Sequence, residues 1–164
     1  MAKVVSIESL CNFCTVNYPL TYVLLLCVIL GVYQPAIDLC IQKLKLGDWV
    51  HVFPEGKVNM EKEYLRLKWG VGRIIYEAYP INMPIIIPMW HEGMDDLLPN
   101  YPPYYFRLNT KLTFNFGNPI DLSKTMKEIT EKNVDEMEAR RMITDEIQKE
   151  LNVSKYRVKR FPTL

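Results

Sequence analysis

Pro84-Ile85-Ile86-Ile87-Pro88-Met89-Trp90 limits the possible folds of this chain more than any other stretch. It is an unbroken apolar run, rich in isoleucine and without alternation. Such a run reads as a strand buried on both faces, so other layers of the molecule must cover it. Lys111-Leu112-Thr113-Phe114-Asn115-Phe116 alternates instead, as a further strand does. Val50, Val52 and Phe53 give another segment the β-branched and aromatic bulk of a pleated surface.

The segments between read mostly as helices. Pro35 suits a first helical position, Ile37, Ile41 and Leu44 follow at helical spacing, and Gly47 closes that helix after Lys43 and Lys45. A second helix is expected over about 61–79, with Leu65, Trp69, Gly72, Ile75 and Tyr79 as its apolar face. Gly70 and Gly72 cost about 1 kcal/mol each inside a helix relative to alanine, which implies close packing against the sheet or a ligand near the backbone. Arg73 is expected as a surface charge, with an anion contact as the other reading. A last helix is expected from Asn133, where Glu136 completes a capping-box pattern, with Val134, Met137, Ile143, Ile147 and Leu151 on its buried face. The prolines at 99, 102 and 103 mark an irregular loop. Helix, strand, helix, strand, strand, helix is the order of an α/β fold: a mixed sheet flanked by helices, with an apolar N-terminal segment.

A chain of 164 residues is one domain or slightly less. Its net charge of +1 supplies no general attraction to nucleic acid. Cys11 and Cys14 form a lone CxxC, and neither His51 nor His91 stands at a spacing that completes a zinc site. No metal and no cofactor is expected, and Cys11, Cys14, Cys27 and Cys40 are expected as reduced thiols of an intracellular chain. Residues 18–33 carry no charge, yet the run is shorter than the roughly 20 residues that span a bilayer. A membrane-associated segment is expected there, with a buried core element as the alternative. The chain then divides into a divergent segment 1–32, a main domain 33–154 and a basic tail 155–164.

Trp49 to Met60 reads as a short strand that stops in a polar loop. Pro54 cannot donate to a ladder, and Gly56 lets a ligand approach the backbone. A strand end that delivers Glu55, Gly56 and Lys57 into a loop is where an α/β protein places a polar ligand. The alternative is an ordinary turn with a solvated glutamate and lysine.

Phe53-Pro54-Glu55-Gly56 resembles the Phe-Pro-Glu-Gly block of the glycerophospholipid acyltransferases. Gly47 to Met60, Leu67 to Arg73 and Pro88 to Asn100 resemble, in order and spacing, the branch of that family that remodels cardiolipin in mitochondrial membranes. The likeness runs from about Tyr33 to the last helix. It implies a glycerolipid-acyltransferase-like fold, of which the chain holds a C-terminal portion. It also implies acyl transfer between a phospholipid and a lysophospholipid at a mitochondrial membrane surface, without cofactor or nucleic acid. By the same resemblance Phe53, Pro54, Glu55, Gly56, Lys57 and Asn59 bind the acceptor's glycerophosphate headgroup. Lys57, Val58 and Asn59 stand where the commoner family sequence has an arginine and a serine, which leaves Lys57 the nearest cation for phosphate.

In that family a His-x4-Asp pair upstream of the block supplies the base; the histidine takes the acceptor hydroxyl's proton and the aspartate orients the ring. No histidine precedes His51 in this chain. His91 and Asp96 satisfy the spacing but follow the block, and Gly93 between them disfavours a helix start. They are expected as a loop histidine and a solvated aspartate. The expectation is a truncated acyltransferase that keeps its headgroup-binding part, with an inactive, membrane-associated lipid-binding fragment or isoform as the alternative.

Overall fold

A computed structural model of the chain describes residues 4–8, 22–24, 32–57, 59, 63–99 and 101–160. In chain order the elements are β1 (Val4–Glu8), β2 (Tyr22–Leu24), α1 (Pro35–Leu46), β3 (Val50–Val52), α2 (Gly70–Ala78), β4 (Ile85–Glu92), α3 (Met94–Leu97), β5 (Thr113–Phe116), α4 (Ser123–Glu131) and α5 (Glu136–Arg160). The strands form one sheet in the order β2-β3-β1-β4-β5. Strands β1 to β4 run parallel, and β5 returns antiparallel beside β4. This is the mixed sheet flanked by helices that the sequence implies.

Two strands come from the segment set apart as a divergent start. Val4–Glu8 takes the centre of the sheet and Tyr22–Leu24 an edge. Of the uncharged run 18–33, only 22–24, Val32 and Tyr33 fall among the described residues, so its membrane reading lies largely outside them. Among the described residues no helix is long and apolar enough to cross a membrane. Residues 155–160 of the basic tail continue α5.

Helix α1 forms as its local signals require. Pro35 opens it, and Gly47 closes it at φ 94°, donating its N–H to the Leu44 carbonyl. Ile37, Cys40, Ile41 and Leu44 face inward. Burial pushes the Cys40 thiol up to about 12, so it stays protonated and packs as a small hydrophobe.

Val50 and Ile86 pair with the same β1 residue and therefore share a sheet face. With Val52 they join residues of α1, α2, α4 and α5 in one apolar cluster. The helices thus cover one face, and the expectation that the Pro84–Trp90 strand is buried on both is corrected. Ile86 and Pro88 are buried, whereas Ile85 is 38% exposed and Ile87 and Met89 are half-buried.

The expected helix over 61–79 shortens to Gly70–Ala78. Upstream of it, backbone groups find tertiary partners instead of helical ones. The Gln148 amide donates to the Leu65 carbonyl at 3.1 Å and accepts the Leu67 N–H at 2.9 Å. Leu65 and Trp69 therefore fall outside the helix. Gly72 packs against another helix. A methyl built on it would lie 2.2 Å from the Arg140 carbonyl oxygen, so α5 is what requires the glycine.

Helix α5 begins at Glu136 and not at Asn133, which takes a left-handed φ of 46°. Asp135 is the residue that caps it: its carbonyl accepts the Ala139 N–H and its carboxylate the Met137 N–H. Ala139, Ile143, Ile147 and Leu151 are buried, while Met137 is exposed. Helix α4 was not expected; Met126 and Ile129 are its two buried residues.

Candidate functional site

Strand β3 ends at Val52, and Pro54, without an N–H, prevents the ladder from continuing. Phe53, Pro54 and Glu55 are all buried. Gly56 turns the chain at φ 68°, a conformation that glycine adopts without steric cost, and donates its N–H back to the Phe53 carbonyl at 3.2 Å. Phe53 stands edge-on to the His51 ring, 4.7 Å between centroids. The turn leaves the Glu55 carboxylate at its buried base and Lys57 exposed at its tip. Five of the six sequence-selected binding residues thus share one tight loop. The sixth, Asn59, is engaged locally: its amide donates to the Glu63 carbonyl at 2.7 Å and accepts the Glu63 N–H at 3.2 Å.

The loop is held from behind. The Lys68 N–H donates to the Pro54 carbonyl at 2.7 Å, and residues 65–67 just before it are held by Gln148 of α5. A chain of hydrogen bonds therefore runs from α5 to the root of the Glu55 turn. Neither Lys68 nor Gln148 carries a local signal of this role, since one acts through its backbone and the other is a half-buried polar residue of α5. Gln148→Ala is expected to cost about 1–3 kcal/mol by leaving Leu65 and Leu67 backbone groups without their partners. A lower urea midpoint is the predicted reading; an unchanged midpoint would contradict the clamp.

His91 is no loop residue. It is buried near the end of β4, with its ring centroid 6.2 Å from that of Phe114. Val52 and Pro88 both pair with the same β1 residue, so His91 lies three residues beyond the level at which β3 ends. The Glu55 loop and His91 therefore emerge at the same, carboxyl end of the parallel strands, with β1 between them. Chain order reverses direction across β1, where open α/β sheets bind ligands. Gly93, at φ 90°, is followed by the single turn α3, so a short helix starts where the glycine is expected to disfavour one. Asp96 lies on that turn and is exposed.

Arg73 is neither a surface charge nor an available anion contact. It is buried, with Asp38 at 2.7 Å, Glu77 at 2.6 Å, the Val32 carbonyl at 2.9 Å and the Tyr33 ring 4.9 Å away. Burial alone would lower its pKa; the Glu77 and Asp38 carboxylates outweigh that and raise it. Arg140 approaches the same ring at 5.0 Å and donates to the Tyr33 hydroxyl. The cluster ties α1, α2 and α5 together. Among the described residues no three His, Cys, Asp or Glu side chains gather to hold a metal ion.

Residues 24–92, from β2 through the Glu55 loop to the end of β4, match the acyltransferase family. The chain is 60% identical to tafazzin of Drosophila melanogaster over 119 residues, which are 73% of this chain and 31% of that protein. It is 36% identical over 102 residues to the N-acylphosphatidylethanolamine synthase of Arabidopsis thaliana, covering 58% of this chain and 35% of that one. The chain thus spans about a third of the length of these curated relatives. In structure it resembles the 1-acyl-sn-glycerophosphate acyltransferase PlsC of Thermotoga maritima, with a TM-score of 0.56 at 17% identity over 99% of this chain and 67% of that one. That likeness speaks for the fold. In sequence, residues 24–92 are similar to the acyltransferase family and nearly three quarters of the chain is similar to a tafazzin, while the likeness to PlsC is one of fold.

Proposed function

We propose that this chain binds the glycerophosphate headgroup of a lysophospholipid as part of a phospholipid–lysophospholipid acyltransferase, and that it serves cardiolipin remodelling at a mitochondrial membrane. The observation that carries the reading is the Phe53–Lys57 turn at the carboxyl end of the sheet, in a chain 60% identical to a tafazzin. In such a reaction the acceptor hydroxyl attacks the donor's ester carbonyl, its proton passes to a base, and the donor leaves as a lysophospholipid. Lys57 suits the phosphate as a charged donor, the Glu55 carboxylate suits a glycerol hydroxyl, and Gly56 lets both approach the backbone.

The reaction also needs a base. Both His51, beside Phe53, and His91, at the end of β4, lie toward this end of the sheet, and His91 follows the block instead of preceding it. A second reading, lipid binding without transfer, asks only for the Phe53–Lys57 turn with its exposed lysine. Radiolabelled acyl transfer from phosphatidylcholine to a lysophospholipid separates the readings. Transfer lost in His91→Ala with binding kept assigns the base to His91. Transfer that survives that change places the base elsewhere. Lysophospholipid binding without transfer supports the second reading, and neither binding nor transfer overturns the proposal.

A further inference from the structure

Between Asp96 and Asp121 the chain changes character. These 24 residues hold six aromatics and the cations Arg107 and Lys111, and no acidic residue at all. In a chain of balanced charge that local bias has to be accounted for. The structure does not bury the aromatics. Tyr101, Tyr104, Tyr105, Phe106 and Leu108 are between 61% and 90% exposed, and Phe114 and Phe116 of β5 are each more than half exposed. Single exposed hydrophobes are ordinary, but a contiguous set of this size marks an interaction surface.

The set has a fixed place in the fold. The Arg107 N–H donates to the Leu97 carbonyl at 2.8 Å, tying the aromatic loop to the end of α3. Thr113 pairs with Glu92, so the loop projects from the carboxyl end of β4, the end from which the Glu55 turn also emerges. Phe114 pairs with His91 and Phe116 with Met89, which puts both phenylalanines on the sheet face opposite the helical cluster. Ile85 of the same face is also exposed.

Three tyrosines among phenylalanine and leucine suit a boundary where rings enter an apolar phase while hydroxyls stay wet. Arg107 and Lys111, with no carboxylate between Asp96 and Asp121, suit a negatively charged partner. We propose that the aromatic loop 101–108 and the outer face of β5 form a docking edge for an anionic lipid bilayer. The proposal deepens the lipid reading of the Glu55 loop, because docking on this edge turns the carboxyl end of the sheet toward the membrane that would supply its substrates.

The test is flotation of the full chain with phosphatidylcholine vesicles, with and without phosphatidylglycerol. The triple change Tyr104→Ser, Tyr105→Ser and Phe106→Ser is expected to lower vesicle partitioning roughly tenfold or more. Arg107→Glu with Lys111→Glu is expected to abolish the preference for phosphatidylglycerol and leave residual binding to neutral vesicles. All five side chains are exposed, so the thermal midpoint should hold in both variants. A triple variant that floats like the parent would overturn the proposal by placing the membrane contact elsewhere in the chain. Loss of self-association in the triple variant, with no vesicle binding by the parent, would make this face a contact between copies and overturn it too. Binding of a short-chain lysophospholipid below its micellar concentration should be unchanged in the triple variant, so failure of the docking edge and failure of the headgroup site are read separately.

Discussion

Gly72→Ala is expected to destabilise the fold by about 1–3 kcal/mol, the usual cost of overpacking a tight contact. The added methyl would lie 2.2 Å from the Arg140 carbonyl oxygen and 2.6 Å from the Thr144 hydroxyl. Neither neighbour yields easily. The carbonyl is helix backbone, and the Thr144 hydroxyl donates to that same carbonyl at 2.7 Å. Relief requires α2 and α5 to part, which opens the cluster holding Val71, Ile75, Ala139 and Ile143. Alanine's better helix propensity, about 1 kcal/mol, offsets part of the cost. Gly72→Val adds a branch without that advantage and should be worse. Against a typical total of about 5–15 kcal/mol the loss is large. Urea unfolding measures it, and a midpoint equal to or above the parent's would refute the tight helix contact.

The second large effect belongs to the Glu55 turn. Lys57→Ala removes an exposed ammonium from the loop's tip without touching the core, and should weaken lysophospholipid binding roughly tenfold if it contacts the phosphate. Glu55→Gln keeps the volume of a buried side chain and removes its charge, so a loss of binding there reports on chemistry and not on packing. Lys57→Ala, at an exposed position, should unfold at the parent's midpoint to within a small shift, and the unfolding midpoint of the buried Glu55→Gln variant is measured alongside its affinity. Unaltered affinity in both would count against the turn as a headgroup site.

Much of this was legible in the sequence where local and tertiary forces agree. Helix α1 has its proline at the start, a 3.6-residue apolar rhythm and a glycine at φ 94° at the end, and it folds as read. The Glu55 turn was legible for the same reason, since its residues are consecutive and Pro54 and Gly56 set the backbone between them. Misreadings occur where a distant partner decides. Residues 63–69 have helical composition, but Gln148 and the Pro54 carbonyl claim their backbone groups. Arg73 reads as a surface charge because Asp38 and Tyr33, which bury it, lie far back in the chain. Strand β1 pairs with β3 and β4, more than 40 residues downstream, and such nonlocal parallel pairing leaves no local signature. His91 was expected in a loop because the apolar run ends at Trp90. Pairing with Phe114 extends the strand through it.

Everything proposed for this chain depends on recognition of a glycerophosphate headgroup by the Phe53–Lys57 turn. Its most direct test is calorimetric titration of the unaltered chain with a short-chain lysophospholipid and, in parallel, with a monoacylglycerol of the same acyl chain. The lysophospholipid is expected to bind saturably and the monoacylglycerol, which lacks the phosphate, at least roughly tenfold more weakly. Equal affinity for the two would contradict it.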